Sequence, residues 1–440
     1  MRLMPHIPAQ EENLRYRNTI YGLIALYLLM PVTSQAGDIL TVDQAVKQAV
    51  AHNPKLAATQ AHAHALTEVP PQVGTLPDPR LSFDASNLPV NTFSTTQENM
   101  TQLRLGLSQG IPFPGKLGLK RNAARLEAEA AASSVDEMRL KLTRDVRIHW
   151  WNLFYLDRAL EIVQVNQALL RKFITIAQTK YKVGKGLQQD VLLAQLELSK
   201  MLDIQIRLKG SRESARARLN AMMNRPSDMA IRLPEKIDEH LHGMPQEKVL
   251  RDIAMRSRPL FEGRREEVKA ARTRARLAEK DYYPDFRVGA AYGFRQGNNP
   301  ATGVPRADLA SIGVSLNLPV YSSTKQDRAV AQREAETVRA KFSLQDARDI
   351  VWKEISTALA DYQTNSHQAE LFKTGIIPQA TQTVSSMLAG YQVNKVDFLN
   401  LIRAQITLYN YQTQYWQALA GARQSMARLE AAVGKENIDE

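Results

Sequence analysis

Cysteine is absent from this 440-residue chain. Its absence excludes disulfides, thiolate metal sites, cysteine nucleophiles and a lipidated N-terminal cysteine. Catalytic signatures are missing too, since no metalloprotease helix, phosphate-binding loop or nucleophile elbow occurs. The eight histidines do not replace them. His62 and His64 stand two apart and so point to different sides of a helix, which leaves them as exposed helical residues; a cluster with His52 around a metal ion is the alternative. The methionines, Met222 and Met223 among them, read as packing residues rather than soft-metal ligands. No catalytic residue, metal or cofactor is expected. Lys and Arg number 57 against 45 acids, a net charge of +12. They are spread among acids with no basic run interleaved with aromatics, which describes a solvated face rather than a nucleic-acid surface.

Glycine and proline are absent from Leu119 to Val183, 65 consecutive residues. An ordinary helix has about 11 to 12 residues, whereas this run spans roughly 100 Å if helical throughout. Val135, Met138, Leu142, Val146, His149, Leu153, Leu156, Leu160, Val163, Leu170, Ile174, Ala177 and Tyr181 recur at threes and fours, as in a coiled-coil seam. A second line, Leu140, Ile148, Trp151, Tyr155, Ala159, Ile162, Leu169, Phe173 and Ile176, runs beside it. The rod therefore has two adjacent neighbours. Periodicity alone leaves open a closed tube of such rods and a long antiparallel coiled coil.

At the N-terminus, Arg15 and Arg17 precede the apolar run Tyr21 to Val32, and Ser34-Gln35-Ala36 supplies small residues before Gly37. This is the layout of a secretory signal peptide over residues 1–36. About a dozen apolar residues are too few to span a bilayer, and no later stretch reaches 18. A transmembrane helix is therefore not expected in the mature chain.

From Leu40 onward the chain repeats itself. Asn53-Pro54 recurs as Arg258-Pro259, Pro79 as Pro284, Tyr155 as Tyr362, and Tyr181-Lys182-Val183-Gly184-Lys185 as Tyr391-Gln392-Val393-Asn394-Lys395. The first repeat covers residues 37–225 and the second 246–433, joined by a linker, 226–245, with three prolines (Pro226, Pro234 and Pro245) and followed by a tail, 434–440. Long helices are expected over 115–183 and 321–392, with returning helices over 188–224 and 397–433. Alternation of period two marks strands near 80–86, 101–109, 285–295 and 309–318. Phe286, Val288, Ala290, Tyr292 and Phe294, for instance, alternate with Arg287, Gly289, Ala291 and Gly293. Apolar-out alternation with polar loops at one end fits barrel strands facing outer-membrane lipid. Four strands cannot close a barrel, and an open edge in hydrocarbon costs several kcal/mol per unpaired backbone group. The strands are therefore expected to be shared among copies of the chain.

Taken together, the duplication, the paired hairpins and the turn pattern Tyr181-Lys182-Val183-Gly184 followed by Asp190-Val191-Leu192-Leu193-Ala194 resemble the TolC family of outer-membrane efflux and secretion channels. The resemblance covers nearly all of Leu40 to Val433. It implies a mainly helical fold with a small β part: an α-barrel continuous with a twelve-stranded transmembrane β-barrel, built by a homotrimer with four strands from each chain. It further implies a periplasmic adaptor and an inner-membrane pump, of the resistance-nodulation-division type for efflux. The turns at Val183, Gly184, Lys185 and at Val393, Asn394, Lys395 become the periplasmic tip that seats the adaptor. Gly184 breaks the rod because it accepts positive φ, and Asn394 tolerates the same region. Asp190, Tyr391, Asn400 and Arg403 fall where the family constricts its entrance. Asn400 and Arg403 depart from the acidic pattern of the best-known members. Asp190 either joins a network with Tyr391 and Arg403 or caps the returning helix. The segment Leu76-Pro77-Asp78-Pro79 to Pro112-Phe113-Pro114-Gly115-Lys116 resembles the branch paired with heavy-metal pumps. Three functions stand at this point: efflux duct, outer-membrane component of type I protein secretion, and secreted coiled-coil scaffold without a pore.

Overall fold

The structure, a computed structural model, describes residues 39–436 and 438; the signal peptide expected over 1–36 lies outside them. Helix α1 (Val42–His52) opens on a capping box in which the Thr41 hydroxyl accepts from Gln44 N at 3.3 Å while the Gln44 side chain accepts from Thr41 N at 2.9 Å. Asn53 ends α1 and starts α2 (Pro54–Thr67), its Oδ1 accepting from Lys55 and Leu56 N. A one-turn helix, α3 (Val69–Val73), leads to strands β1 (Arg80–Ser86) and β2 (Gln102–Ile111). Then come the first rod, α4 (Lys116–Lys182, 67 residues), and its return, α5 (Gln188–Met222).

The second half repeats the plan with α6 (Glu247–Ser257), α7 (Pro259–Glu279), β3 (Phe286–Phe294) and β4 (Leu309–Leu316). Its rod is α8 (Gln326–Leu371) and α9 (Ile377–Gln392), returning as α10 (Phe398–Val433). This rod starts later than expected, at Gln326 rather than 321, and carries a π turn at Phe372–Ile376. Pro378 has no N–H to give the Thr374 carbonyl four residues back, so the ladder slips there. The first rod has no proline and runs uninterrupted.

The duplicated Asn53 and Arg258 explain how short helices extend long ones. Asn53 Nδ2 donates to Met222 O at 2.9 Å, setting α2 end to end with α5. Arg258 likewise donates to Ala431 O, and Ser257 Oγ to Val433 O at 2.8 Å, setting α7 on α10. Four rods result: α5 with α2, α4, α10 with α7, and α8 with α9. They lie side by side in that order, α4 between α5 and α10 and α10 between α4 and the second rod. Both seams read from α4 thus have partners within the chain.

The core is a set of strips along these seams. Trp150, Leu153, Phe154 and Val146 of α4 pack with Leu219 of α5 and with Ala45, Ala49 and Leu56, and Trp150 Nε1 donates to Leu40 O at 3.0 Å. Nearer the helix-to-helix turns, Val163, Leu170 and Phe173 pack against Met201, Leu401, Ile402 and Tyr409. Leu250, Phe261, Val351, Ile355 and Leu429 form a third strip. The linker wraps the rods at mid-height as a strap. Arg158 donates to Glu235 O, Arg423 to Asp238 O and His240 O, and Tyr362 to His242 O, while Glu239 pairs with Lys373 of the π turn at 2.6 Å and accepts from Tyr415.

The four strands form one antiparallel sheet in the order β1-β2-β3-β4. Pairing of Leu107 with Ala290, and of Ala290 with Ile312, puts the two hairpins in a common register. The outer edges of β1 and β4 have no partner among the described residues.

Candidate functional site

Two regions carry function: the sheet at one end and the paired turns at the other. On the sheet, register places Leu81, Phe83, Leu105, Leu107, Val288, Tyr292, Ile312 and Val314 on one face. Among the described residues no helix covers that face. Leu105 is 44%, Val288 40% and Ile312 86% exposed, so a soluble hairpin packed on a helix is ruled out for these strands. Exposed aromatics stand at both ends of the apolar band: Tyr292 and Phe294 toward the loops, Tyr282, Tyr283 and Tyr321 toward the helices. Such girdles mark the two membrane interfaces. The other face bears Arg80, Ser82, Asp84, Arg104, Ser108, Arg287, Ser311 and Ser315, as the inside of a water-filled barrel requires. Among the described residues no helix is long and apolar enough to cross a membrane.

At the far end the two repeats close with the same turn. Gly184 has φ 70° and Asn394 φ 63°, the left-handed values anticipated for them. Lys185 N donates to Lys180 O at 2.8 Å and Gly184 N to Tyr181 O at 3.0 Å. Lys395 N donates to Gly390 O at 2.8 Å and Asn394 N to Tyr391 O at 3.2 Å. This paired arrangement satisfies the last carbonyls of α4 and α9 and reverses the chain. Val183, Gly184, Lys185, Val393, Asn394 and Lys395 are all exposed, the two valines at 62% and 63%. A Cβ on Gly184 would meet nothing within 4 Å, so only the backbone opposes substitution. Gly184→Ala is expected to cost about 1–2 kcal/mol, and Asn394→Gly to leave the melting temperature unchanged or raised; thermal unfolding followed by circular dichroism checks both.

Between the turns the structure brings together two of the four residues expected at the constriction, Asp190 and Tyr391. Tyr391 OH donates to Asp190 Oδ2 at 3.1 Å. Burial, reinforced by the Asp190 charge and the hydrogen bond to it, pushes the Tyr391 phenol well above its ordinary range, so it stays a donor at any physiological pH. Asp190 lies in the first turn of α5, where the helix dipole favours a carboxylate, but its side chain makes no cap, Leu187 being the N-cap. Asn400 and Arg403 are exposed, and Arg403 makes no side-chain bond to Asp190 within the chain. Lys180 and Phe398, which the pattern did not single out, complete the cluster. The Lys180 ammonium sits 4.2 Å from the Tyr391 ring centroid and donates to Tyr391 O, and Phe398 packs on the same ring at 5.0 Å. Lys180 lies 211 positions from its partner; its only local sign is a cation in the last turn of a helix.

Rods side by side, a sheet with two open edges and an apolar outer face, and turns at the opposite end define one stave of a channel-forming outer-membrane protein that reaches into the periplasm. The sequence profile described as outer membrane efflux protein matches residues 45–225 and 250–435, and the chain belongs to that family. It is similar to the cobalt-zinc-cadmium resistance protein CzcC of Cupriavidus metallidurans, 20% identical over 401 residues and 91% of each chain. The alkaline protease secretion protein AprF of Pseudomonas aeruginosa is 23% identical over 283 residues, 62% of this chain and 57% of AprF. Among solved structures, CusC superposes with a TM-score of 0.77 at 15% identity, covering 90% of this chain and 92% of that one.

Proposed function

We propose that the chain works as a homotrimer forming the passive exit duct of a tripartite efflux system, docked on a periplasmic adaptor and an inner-membrane pump of the resistance-nodulation-division type. The observation that carries this reading is the sheet: its apolar face is exposed and its two outer edges are unpaired among the described residues, so copies must close it into one barrel, of twelve strands in the trimer that the family resemblance implies. Further support comes from α5, where Leu192, Leu196, Leu202 and Ile206 are exposed at helical spacing, a seam awaiting a neighbouring protomer. Likeness to CzcC over nearly the whole chain supports metal ions as cargo. Likeness to AprF supports a second reading, export of a protein through the same kind of duct. Heat-resistant trimers in outer-membrane fractions and ion conductance in planar bilayers test the duct; neither is expected of a poreless scaffold. Loss of metal tolerance on deletion, with protein export intact, selects efflux, and the reverse selects secretion.

The adaptor is assigned to the exposed turns at Val183 to Lys185 and Val393 to Lys395. Asp190 and Tyr391 tie α5 to α9 and hold the entrance narrow; a hydrogen bond to a charged group contributes about 1.5–3 kcal/mol. Asn400 and Arg403, exposed in the single chain, act between protomers. Single-channel conductance is expected to rise in Asp190→Ala and Tyr391→Phe, and in Arg403→Ala if its partner is across the interface. Unchanged conductance in all three would leave the cluster a purely structural tie.

A further inference from the structure

The inner face of the strands carries an unequal charge. Within the strands that face carries Arg80, Arg104 and Arg287 against one acid, Asp84. Asp84 is the cross-strand partner of Arg104, so these two offset each other at one level of the barrel. Arg80 and Arg287 remain. They border one concavity at the helix end of the sheet, together with Ser108, Gly110 and Ser315. Three carboxylates stand nearby. Asp285 and Asp281 are both engaged by Lys116, at 2.9 and 3.1 Å, and Asp285 also accepts from Phe113 N. Asp78 is the third. Lys280 adds a further cation, 5.3 Å from the Tyr283 ring centroid. Of the residues lining the concavity itself, Asp78 and Asp285 match Arg80 and Arg287. Asp327, which accepts from Tyr282 OH, and Lys120, which faces Asp285, add one charge of each sign, and with Lys116, Lys280 and Asp281 the mouth keeps an excess of one positive charge in each chain.

An independent observation at the opposite end has the same sign. The two turns and their flanks carry Lys180, Lys182, Lys185, Lys395 and Arg403 against Asp190 and Asp397. Lys182, Lys185, Lys395 and Arg403 are exposed.

From these two placements we infer that the open conduit selects anions over cations, its barrel mouth acting as a ring of Arg80 and Arg287 repeated by each protomer. Rings of Arg or Lys favour anions in pores because the low-dielectric wall concentrates their field on the axis. A lumen potential of one kT raises the anion-to-cation concentration ratio about sevenfold. Anions, including metal ions carried as anionic complexes, leave with the field, whereas a bare divalent cation crosses against it. The inference rests on the duct reading above.

The test is the reversal potential of purified protein in planar bilayers across a tenfold potassium chloride gradient. Chloride is expected to be several times more permeant than potassium when the dilute side is near 0.01 M, and the preference is expected to fade near 1 M, where the screening length is only about 3 Å. In Arg80→Gln/Arg287→Gln the ratio is expected to fall toward one, and in Arg80→Glu/Arg287→Glu to invert, with heat-resistant trimers and conductance at 1 M salt retained as the check on folding. Conductance without anion preference in the wild type, or a preference untouched by both double variants, overturns the assignment and leaves the duct standing. Absence of any conductance overturns the duct as well.

Discussion

Glu137→Ala is expected to destabilise the fold by about 3–5 kcal/mol, because it strands a buried guanidinium. Arg258 and Glu137 are 3% and 6% exposed and meet through two parallel bonds, Nε to Oε2 at 2.9 Å and Nη2 to Oε1 at 2.8 Å. The same guanidinium reaches Ala431 O and, at 3.4 Å, Glu354. One residue therefore joins α4, α8 and the butt joint of α7 on α10. Glu354 retains some compensation, which places the cost toward the lower end of that range. Glu137→Gln, which keeps an acceptor, is expected to lose less than the alanine variant. Thermal unfolding of the purified protein, followed by circular dichroism, compares the two; equal melting temperatures for wild type and Glu137→Ala would falsify the account.

Ile312→Arg should remove the protein from the outer membrane. Ile312 sits in the middle of β4, level with Ala290 of β3, on the face left open to lipid. An arginine at the bilayer midplane of such a barrel costs about 2–4 kcal/mol, and every protomer carries the substitution. Ser311→Arg, one position away on the opposite face, is expected to assemble normally and to add to the positive charge of the lumen. Quantifying heat-resistant trimers in outer-membrane fractions separates the two. If both variants assemble equally, the apolar face does not meet lipid.

Much of this architecture is legible residue by residue. The strands were marked by alternation because a pleated chain puts neighbouring side chains on opposite faces, and no competing pattern occurs in Phe286 to Phe294. Gly184 and Asn394 were legible because few residues accept positive φ, and both occupy the same place in a duplicated motif. The end-to-end stacking of helices was not. Asn53 and Arg258 are recognisable as counterparts, yet one acts as an amide cap and the other as a buried cation, and only the approach of a distant helix terminus distinguishes them. The cluster beside the turns was half legible. Tyr391 hydrogen-bonds Asp190, while Arg403 lies outside the pair and Lys180 takes the face of the ring instead.

By itself the sequence determined the local and periodic features: rods without a breaker, strands with two unlike faces, paired turns and an internal repeat. These depend on backbone preferences and on side-chain spacing within one element. The tertiary structure alone decided the partners: that the two hairpins join into one sheet, that α4 lies between α5 and α10, and that Arg258 buries its charge against Glu137. Apart from α4 against α5, which adjoin in sequence, those contacts are set by residues more than a hundred positions apart, and a pattern along the chain carries no information about which distant surface will complete it.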